Sequence, residues 1–147
     1  MTTILSKVGG IIRSKLVLIL LCSFTLRAGF ALLQQRPVAS DELEYHLLAK
    51  SLVETGSYSS GGKPTAFRPP GYPMFLSVLY FLTGSHPFTA RLFQAILDTL
   101  IALFLFFLAQ PYGQRAALLA ATLWAFYFPA LLYCSLLLGE IFYAFLI

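Results

Sequence analysis

Charged residues are scarce in this chain, and their scarcity excludes a water-soluble domain. Only 11% of its 147 residues are charged and 59% are hydrophobic, whereas soluble proteins average about 25% charged residues. The net charge of +4 does not indicate nucleic-acid binding, because the charges separate apolar runs instead of forming a basic patch. The composition predicts a membrane protein.

Cysteine and histidine are equally sparse. Cys22 and Cys134 both lie inside apolar runs, so no disulfide framework is predicted. His46 and His86 lack the spacing of metal ligands, and no zinc site is expected. The chain also lacks a phosphate-binding glycine loop, a dinucleotide fingerprint and a hydrolase elbow. A nucleotide-sugar donor therefore finds no support.

Long apolar runs predict an all-α fold, a multi-pass transmembrane helical bundle. We expect spans at residues 16–34, 90–110 and 115–138 and a truncated span from residue 140, because roughly 20 helical residues cross a hydrocarbon core of ~30 Å. Residues 1–147 then form one membrane module, which we expect to be the amino-terminal fragment of a longer protein. A signal peptide is the alternative for the first run, although no convincing cleavage site follows it.

The segment between the first two spans, residues 36–88, is predicted to be an extracytoplasmic loop with interfacial helices. Ser40 or Asp41 can cap an amphipathic helix that ends at Gly56. A region rich in glycine and proline follows, over residues 57–73. The apolar run 74–83 covers only about half of the core, so we predict that it is re-entrant or interfacial.

The sidedness of the chain depends on that short run. Lys7, Arg13 and Lys15 precede the first span and indicate a cytoplasmic amino terminus. If the run 74–83 does not span, Arg115 is also cytoplasmic and Glu140 shares the outer face with the loop. If it does span, Arg115 lies outside. Its length favours the first alternative.

Two polar residues within the predicted spans are expected to pair. Arg27 and Asp98 lie at similar depth, about 18 Å from the inner flank. Charged residues at such depth are costly and are usually paired or functional. Arg91 shares a helical face with Asp98 and is the alternative partner.

The loop contains the string Arg68-Pro69-Pro70-Gly71-Tyr72-Pro73, about two dozen residues after Asp41 and Glu42. Together with the later Arg91 region, this arrangement resembles the amino-terminal module of polyprenyl-phosphate-sugar glycosyltransferases of the GT-C fold. Protein O-mannosyltransferases and the bacterial enzymes that transfer aminoarabinose to lipid A belong to that group. The resemblance covers nearly the whole chain, from the first span to the region of Glu140.

The resemblance implies a catalytic acidic residue at Asp41, with Glu42 beside it, and a second acidic residue at Glu140. It also implies an inverting transfer from a polyprenyl-phosphate-linked sugar to a glycan, lipid or protein acceptor, on the extracytoplasmic side of the cell (inner) membrane. No cofactor is implied with certainty, and a divalent metal is left open. The chemistry agrees, since a carboxylate can accept the proton of the incoming hydroxyl.

Arginine suits the leaving phosphate, because its planar fork matches phosphate oxygens. Arg68 and Lys63 are the cationic candidates in the loop. The substrate-binding candidates are Arg68, Tyr72, Tyr45, His46 and Lys63. Tyr72 is expected at the interface, with its hydroxyl toward water.

Each of these residues also has a structural interpretation. Asp41 and Glu44 have the spacing of a helix cap, and Arg68 could bind lipid headgroups instead of a donor. Tyr45 and Tyr72 fit an aromatic belt. The rival class is a non-catalytic membrane protein, a transporter piece or an assembly subunit, in which such charges are structural or line a permeation path.

Overall fold

The computed structural model describes residues 2–33 and 37–147, with side chains described from Gly10 onward. The chain is an all-helical membrane bundle with one small hairpin. The helices are α1 (Thr2–Leu33), α2 (Asp41–Thr55), α3 (Gly71–Thr83), α4 (Pro87–Ala109), α5 (Gln114–Ala125), α6 (Phe128–Cys134) and α7 (Glu140–Leu146). The strands β1 (Ser59–Ser60) and β2 (Lys63–Pro64) pair antiparallel between α2 and α3.

Two stretches of helix are long and apolar enough to cross a membrane, Gly10–Leu33 and Pro87–Tyr112. They agree with the first two predicted spans. The third predicted span is not one straight helix, because α5 and α6 meet at a bend of 51°. Pro129 lies in the first turn of α6. Proline has no N–H to donate and disfavours helical backbone in the residue before it, so the break falls just upstream of it.

The loop region is more regular than its composition predicts. Gly56 ends α2 in the left-handed conformation, as expected. Gly61 and Gly62 also have positive φ, at 59° and 77°, and this allows the tight turn between the two strands. Helix α3 begins at Gly71, three residues before the predicted apolar run, and its 13 residues are too few to cross the bilayer.

Helices α1 and α4 are antiparallel. Near its amino-terminal end α1 contributes Ile12 and Leu16, which pack with Phe106 close to the end of α4. Near its other end Arg27 contacts Asp98, eight residues earlier along α4. Helix α4 therefore begins on the side of the bundle where α1 ends. The segment between these two helices, with α2, the hairpin and α3, lies on that side, opposite the amino terminus.

Arg27 and Asp98 form a fully buried ion pair, with both side chains at 0% exposure. The guanidinium of Arg27 also donates to Ser23 Oγ at 2.9 Å and to the carbonyls of Ala125 and Trp124 at 3.0 and 3.1 Å. Those carbonyls are the last of α5, where the helix break removes the usual donors four residues on. The carbonyl of Trp124 also accepts from the amide of Tyr127 at 3.1 Å. Inside a bilayer no water would replace the missing donors, so one arginine satisfies both the carboxylate and the helix end.

Asp98 has a second donor, because the indole Nε1 of Trp124 donates to Asp98 Oδ1 at 2.7 Å. The pair thereby joins three helices, α1, α4 and α5. The alternative partner, Arg91, lies next to Glu42.

The first prediction concerns sidedness. With Cys22 and Cys134 replaced by serine, a cysteine introduced at Ser60 or Glu140 should react with an impermeant reagent from one face of the membrane. A cysteine at Gln114 should react only from the face that holds the amino terminus. All three positions are exposed, so the labelling of each depends on the side of the membrane on which it lies. Labelling of positions 60 and 114 from the same face would contradict the antiparallel arrangement.

The second prediction concerns the buried pair. Arg27→Leu and Asp98→Leu should each lower the free energy of unfolding by about 3–5 kcal/mol, because each leaves a buried charge without its partner. The double variant should lose less than the sum of the two. The check is a double-mutant cycle measured by unfolding in detergent micelles.

The exposed pair of Lys50 and Glu54, with nitrogen and oxygen 3.6 Å apart, is the matched control. Its cycle should give a coupling of only about 0.3–0.5 kcal/mol. Additive losses at Arg27 and Asp98 would show that the two residues do not stabilise the bundle as a pair.

Candidate functional site

The guanidinium of Arg68 is the centre of a polar cluster on the side of the molecule that holds α2 and α3. Arg68 Nη2 donates to Asp41 Oδ1 at 2.5 Å, and Arg68 Nε donates to Glu44 Oε2 at 2.6 Å. The guanidinium also lies over the rings of Tyr45 and Phe67, at 5.3 and 5.1 Å from their centroids. The hydrogen bonds to Glu44 and Asp41 raise the pKa of Arg68 above its ordinary value, so the cation persists at any physiological pH.

Helix α2 brings the two carboxylates to one face. Asp41 is the first residue of the helix and Glu44 lies three positions later, a spacing that puts both on the same side. Ser40 occupies the N-cap position without a side-chain capping hydrogen bond. Asp41 and Glu44 therefore both bind Arg68. They do not form the reciprocal cap that their spacing suggests.

Asp41 borders a cavity of about 260 Å³. The cavity is lined by the start of α2 and by the segment that follows α6, with Ala39, Ser40, Asp41, Glu42, Leu136 and Leu138 as its walls. The side chain of Asp41 is 57% exposed, so its carboxylate is accessible to a substrate. A charged, accessible carboxylate on a concave surface is the usual form of a site for acid–base chemistry.

Glu42 points the other way and is buried. It has 4% exposure, its Oε1 accepts a hydrogen bond from the amide of Leu137 at 2.8 Å, and it lies 3.6 Å from Arg91 Nη2. Glu42 is therefore not a solvent-exposed charge. Its contacts fasten α2 to α4 and to the segment before α7.

Tyr72 differs from the expectation in the same way. It is fully buried, and its hydroxyl donates to Gln94 Oε1 at 3.0 Å. Gln94 Nε2 in turn donates to the carbonyl of Leu136 at 2.9 Å. A hydroxyl facing water is therefore the wrong placement for Tyr72, which instead anchors the start of α3 to α4.

One face of α4 carries the buried polar residues that make these contacts. Arg91, Gln94 and Asp98 are all buried on α4, three and four positions apart, and they serve Glu42, Tyr72 and Arg27 respectively. The sequence indicates the shared face of the three residues. The similar depth of Arg27 and Asp98 predicts that these two residues pair, and the structure confirms it. Glu42 and Tyr72 could not be predicted as the partners of Arg91 and Gln94, because both lie in the loop, where depth in the membrane does not restrict pairing.

Glu140 is exposed and begins α7. Burial raises the pKa of the Tyr45 phenol, Arg68 opposes that rise, and the charges of Tyr143 and Glu140 add to it. Tyr143, three residues after Glu140 on α7, lies against Gly71, which is three residues after Arg68. The start of α7 therefore lies near the loop that carries Arg68.

His46 and Lys63 complete the candidate residues. His46 Nδ1 lies 2.8 Å from the hydroxyl of Tyr80, and burial together with Lys50 lowers the pKa of the imidazole. His46 is therefore neutral at pH 7 and links α2 to α3. Lys63 is exposed on β2, and its side chain forms no ion pair or hydrogen bond with any residue that the structure describes.

Sequence reasoning did not include Glu44, Gln94 and Tyr143 among the site residues. The spacing of Glu44 from Asp41 indicates half of a helix cap. The same spacing is the signal for a site residue, because it puts Glu44 one helical turn after Asp41, on the face that meets Arg68. Within the described part of the chain, no three His, Cys, Asp or Glu side chains are grouped so as to hold a metal ion.

Comparison with known protein families indicates the class of protein to which the chain belongs. The family model described as dolichyl-phosphate-mannose-protein mannosyltransferase matches residues 67–146, more than half of the chain. No curated protein and no solved structure matches it. A membrane bundle with this match is a membrane glycosyltransferase of the mannosyltransferase-like type. The chain belongs to the dolichyl-phosphate-mannose-protein mannosyltransferase family.

The matched region begins at Phe67 and so includes Arg68, Tyr72, Arg91 and Glu140. Asp41 and Glu44 lie before it. Their assignment to the site depends on the geometry around Arg68, which joins the matched region to α2.

Proposed function

We propose that the protein transfers a sugar from a polyprenyl-phosphate-linked donor to an acceptor hydroxyl, with inversion at the anomeric carbon. The observation that carries the proposal is the accessible carboxylate of Asp41, which borders a cavity and is held by the guanidinium of Arg68 at 2.5 Å. Membership of the family supports the general class of reaction. The acceptor is a glycan, a lipid or a protein.

In the proposed reaction Asp41 is the general base. Its carboxylate accepts the proton of the acceptor hydroxyl while the hydroxyl oxygen forms a bond to the anomeric carbon of the donor sugar. The bond from that carbon to the phosphate oxygen breaks, and polyprenyl phosphate leaves with the electron pair. A single displacement of this kind inverts the anomeric centre and needs no covalent sugar–enzyme intermediate.

Arg68 has the role of binding the donor phosphate in this proposal. In the free protein its cation is shared by two carboxylates, Asp41 and Glu44. A phosphate that competes for the guanidinium would displace Asp41 from it, because both anions bind the same donors. The displaced carboxylate is then free to accept a hydrogen bond from the acceptor hydroxyl. Donor binding and activation of the base are therefore one event.

Glu140 and Tyr45 are proposed to contact substrate, because both lie at the Arg68 cluster and remain accessible. Tyr72 and His46 act through packing between helices in this proposal, and Lys63 attracts the anionic donor from the hairpin. Glu42 holds the base helix in place through Leu137 and Arg91.

The active face is proposed to be extracytoplasmic, in the cell (inner) membrane. The geometry puts α2 and α3 opposite the amino terminus, and Arg13 and Lys15 belong to the amino-terminal half of α1. Arg115 lies at the start of α5, on the same side as those two residues. Basic residues concentrate on the cytoplasmic side of membrane proteins.

The third prediction separates a base from a structural carboxylate. Asp41→Asn should lower the turnover number by roughly 10²–10⁴, the usual contribution of a positioned general base. The amide retains an oxygen that can accept from Arg68, so the Tm and the affinity for the lipid donor should not fall. The measurement is transfer of a labelled sugar by the intact protein in liposomes.

The matched control is Glu54→Gln, a neutralised carboxylate near the other end of the same helix that contacts only Lys50 among the described residues. It should transfer sugar at the wild-type rate. A near-normal rate for Asp41→Asn would remove Asp41 from the mechanism, and Glu140→Gln would then be the variant to measure.

A further inference from the structure

Two glycines enclose the ring of Tyr143 at the edge of the Arg68 cluster. A Cβ atom added to Gly139 would lie 2.7 Å from Tyr143 Cε2, and one added to Gly71 would lie 3.3 Å from the Tyr143 hydroxyl oxygen. The ring therefore spans from the segment before α7 to the start of α3. A side chain at position 139 would collide with the ring, and one at position 71 would press against its hydroxyl.

This slot directs the Tyr143 hydroxyl toward the candidate site. Gly71 lies three residues after Arg68, and the hydroxyl is the Tyr143 atom nearest to Gly71. The charge of an ionised Tyr143 also acts on Tyr45 and Tyr58, whose side chains contact Arg68 through its guanidinium and its carbonyl.

The Tyr143 hydroxyl has free hydrogen-bonding capacity. It forms no hydrogen bond to any residue in the described ranges, and the residue is 36% exposed. Tyr72, by contrast, has its hydroxyl bonded to Gln94. A phenol held in a glycine slot with its hydroxyl unused is suited to donate to a ligand.

The charge around Tyr143 indicates which kind of ligand group its hydroxyl would bind. Two carboxylates, Asp41 and Glu44, share the cation of Arg68, and a third, Glu140, lies three residues before Tyr143 at the start of α7. The neighbourhood of Tyr143 therefore carries excess negative charge. That excess disfavours a second anion and favours neutral hydroxyl groups, which can donate to the carboxylates and accept from the phenol. Sugar hydroxyls have this chemistry.

We propose that Tyr143 is a further substrate-positioning residue, whose hydroxyl donates a hydrogen bond to a hydroxyl group of the donor sugar. The proposal rests on the proposed function, because it assumes a lipid-phosphate-linked sugar at the Arg68 cluster. It assigns Arg68 to the phosphate and Tyr143 to the sugar, and these two contacts can be measured separately.

The test compares binding of two lipids to the intact protein in detergent, polyprenyl phosphate with and without mannose. The Tyr143→Phe variant keeps the ring in its slot and removes only the hydroxyl. It should bind the mannose-bearing lipid about threefold to tenfold more weakly, the effect of one neutral hydrogen bond. Its affinity for bare polyprenyl phosphate and its Tm should remain those of the wild type.

Gly139→Ala tests the slot itself. The glycine has φ of −76°, which alanine adopts without strain, so the only conflict is with the ring of Tyr143 and the neighbouring Tyr72. It should weaken binding of the mannose-bearing lipid at least as much as Tyr143→Phe. Gly29→Ala is the control, because nothing lies within 4 Å of its added Cβ, and it should bind as the wild type does.

Equal affinity of wild type and Tyr143→Phe for the mannose-bearing lipid would overturn the role of Tyr143. A parallel loss for bare polyprenyl phosphate would also overturn it, since the residue would then act on the phosphate or on the fold. Failure of the proposed function gives a different result, namely a wild-type protein that binds these lipids without transferring sugar.

Discussion

The buried ion pair between Arg27 and Asp98 is the interaction on which the rest of the structure depends. A charge inside a bilayer is costly alone, and the ends of a broken helix are costly for the same reason, since lipid offers no hydrogen bonds. One guanidinium meets both requirements by bonding the carboxylate and the last carbonyls of α5. The break after α5 is thereby tolerated, and the segment that follows α6 reaches α2, where the amide of Leu137 donates to Glu42.

The segment from Arg68 to Pro73 makes three separate contacts with other parts of the structure. Arg68 joins the loop to α2 through Asp41 and Glu44. Gly71 leaves space for the ring of Tyr143, and Tyr72 enters the core to reach Gln94. The prolines between them have fixed φ values, so the arginine and the tyrosine are held with little conformational freedom to lose.

Sequence reasoning predicted the parts of this structure that depend on length and depth. The first and second spans, the amphipathic helix ending at Gly56 and the contact of Arg27 with Asp98 all follow from the positions of apolar and charged residues. The burial of Tyr72 and Glu42 and the two carboxylates on Arg68 could not be predicted, because each of these contacts involves a residue of the loop between the first two spans, where depth in the membrane does not restrict which residues meet. Periodicity assigns a residue to a face of its own helix and says nothing about which partner lies opposite.

The central claim is that this family member transfers a sugar from a lipid phosphate to a hydroxyl on the face that holds Asp41 and Arg68. The most direct test incubates the intact protein, in liposomes, with labelled sugars on a panel of polyprenyl-phosphate donors and measures transfer to glycan, lipid and protein acceptors. We predict transfer from at least one donor, with inverted configuration in the product. No transfer from any donor, by a protein whose fold is intact, would contradict the account and favour a non-catalytic membrane protein.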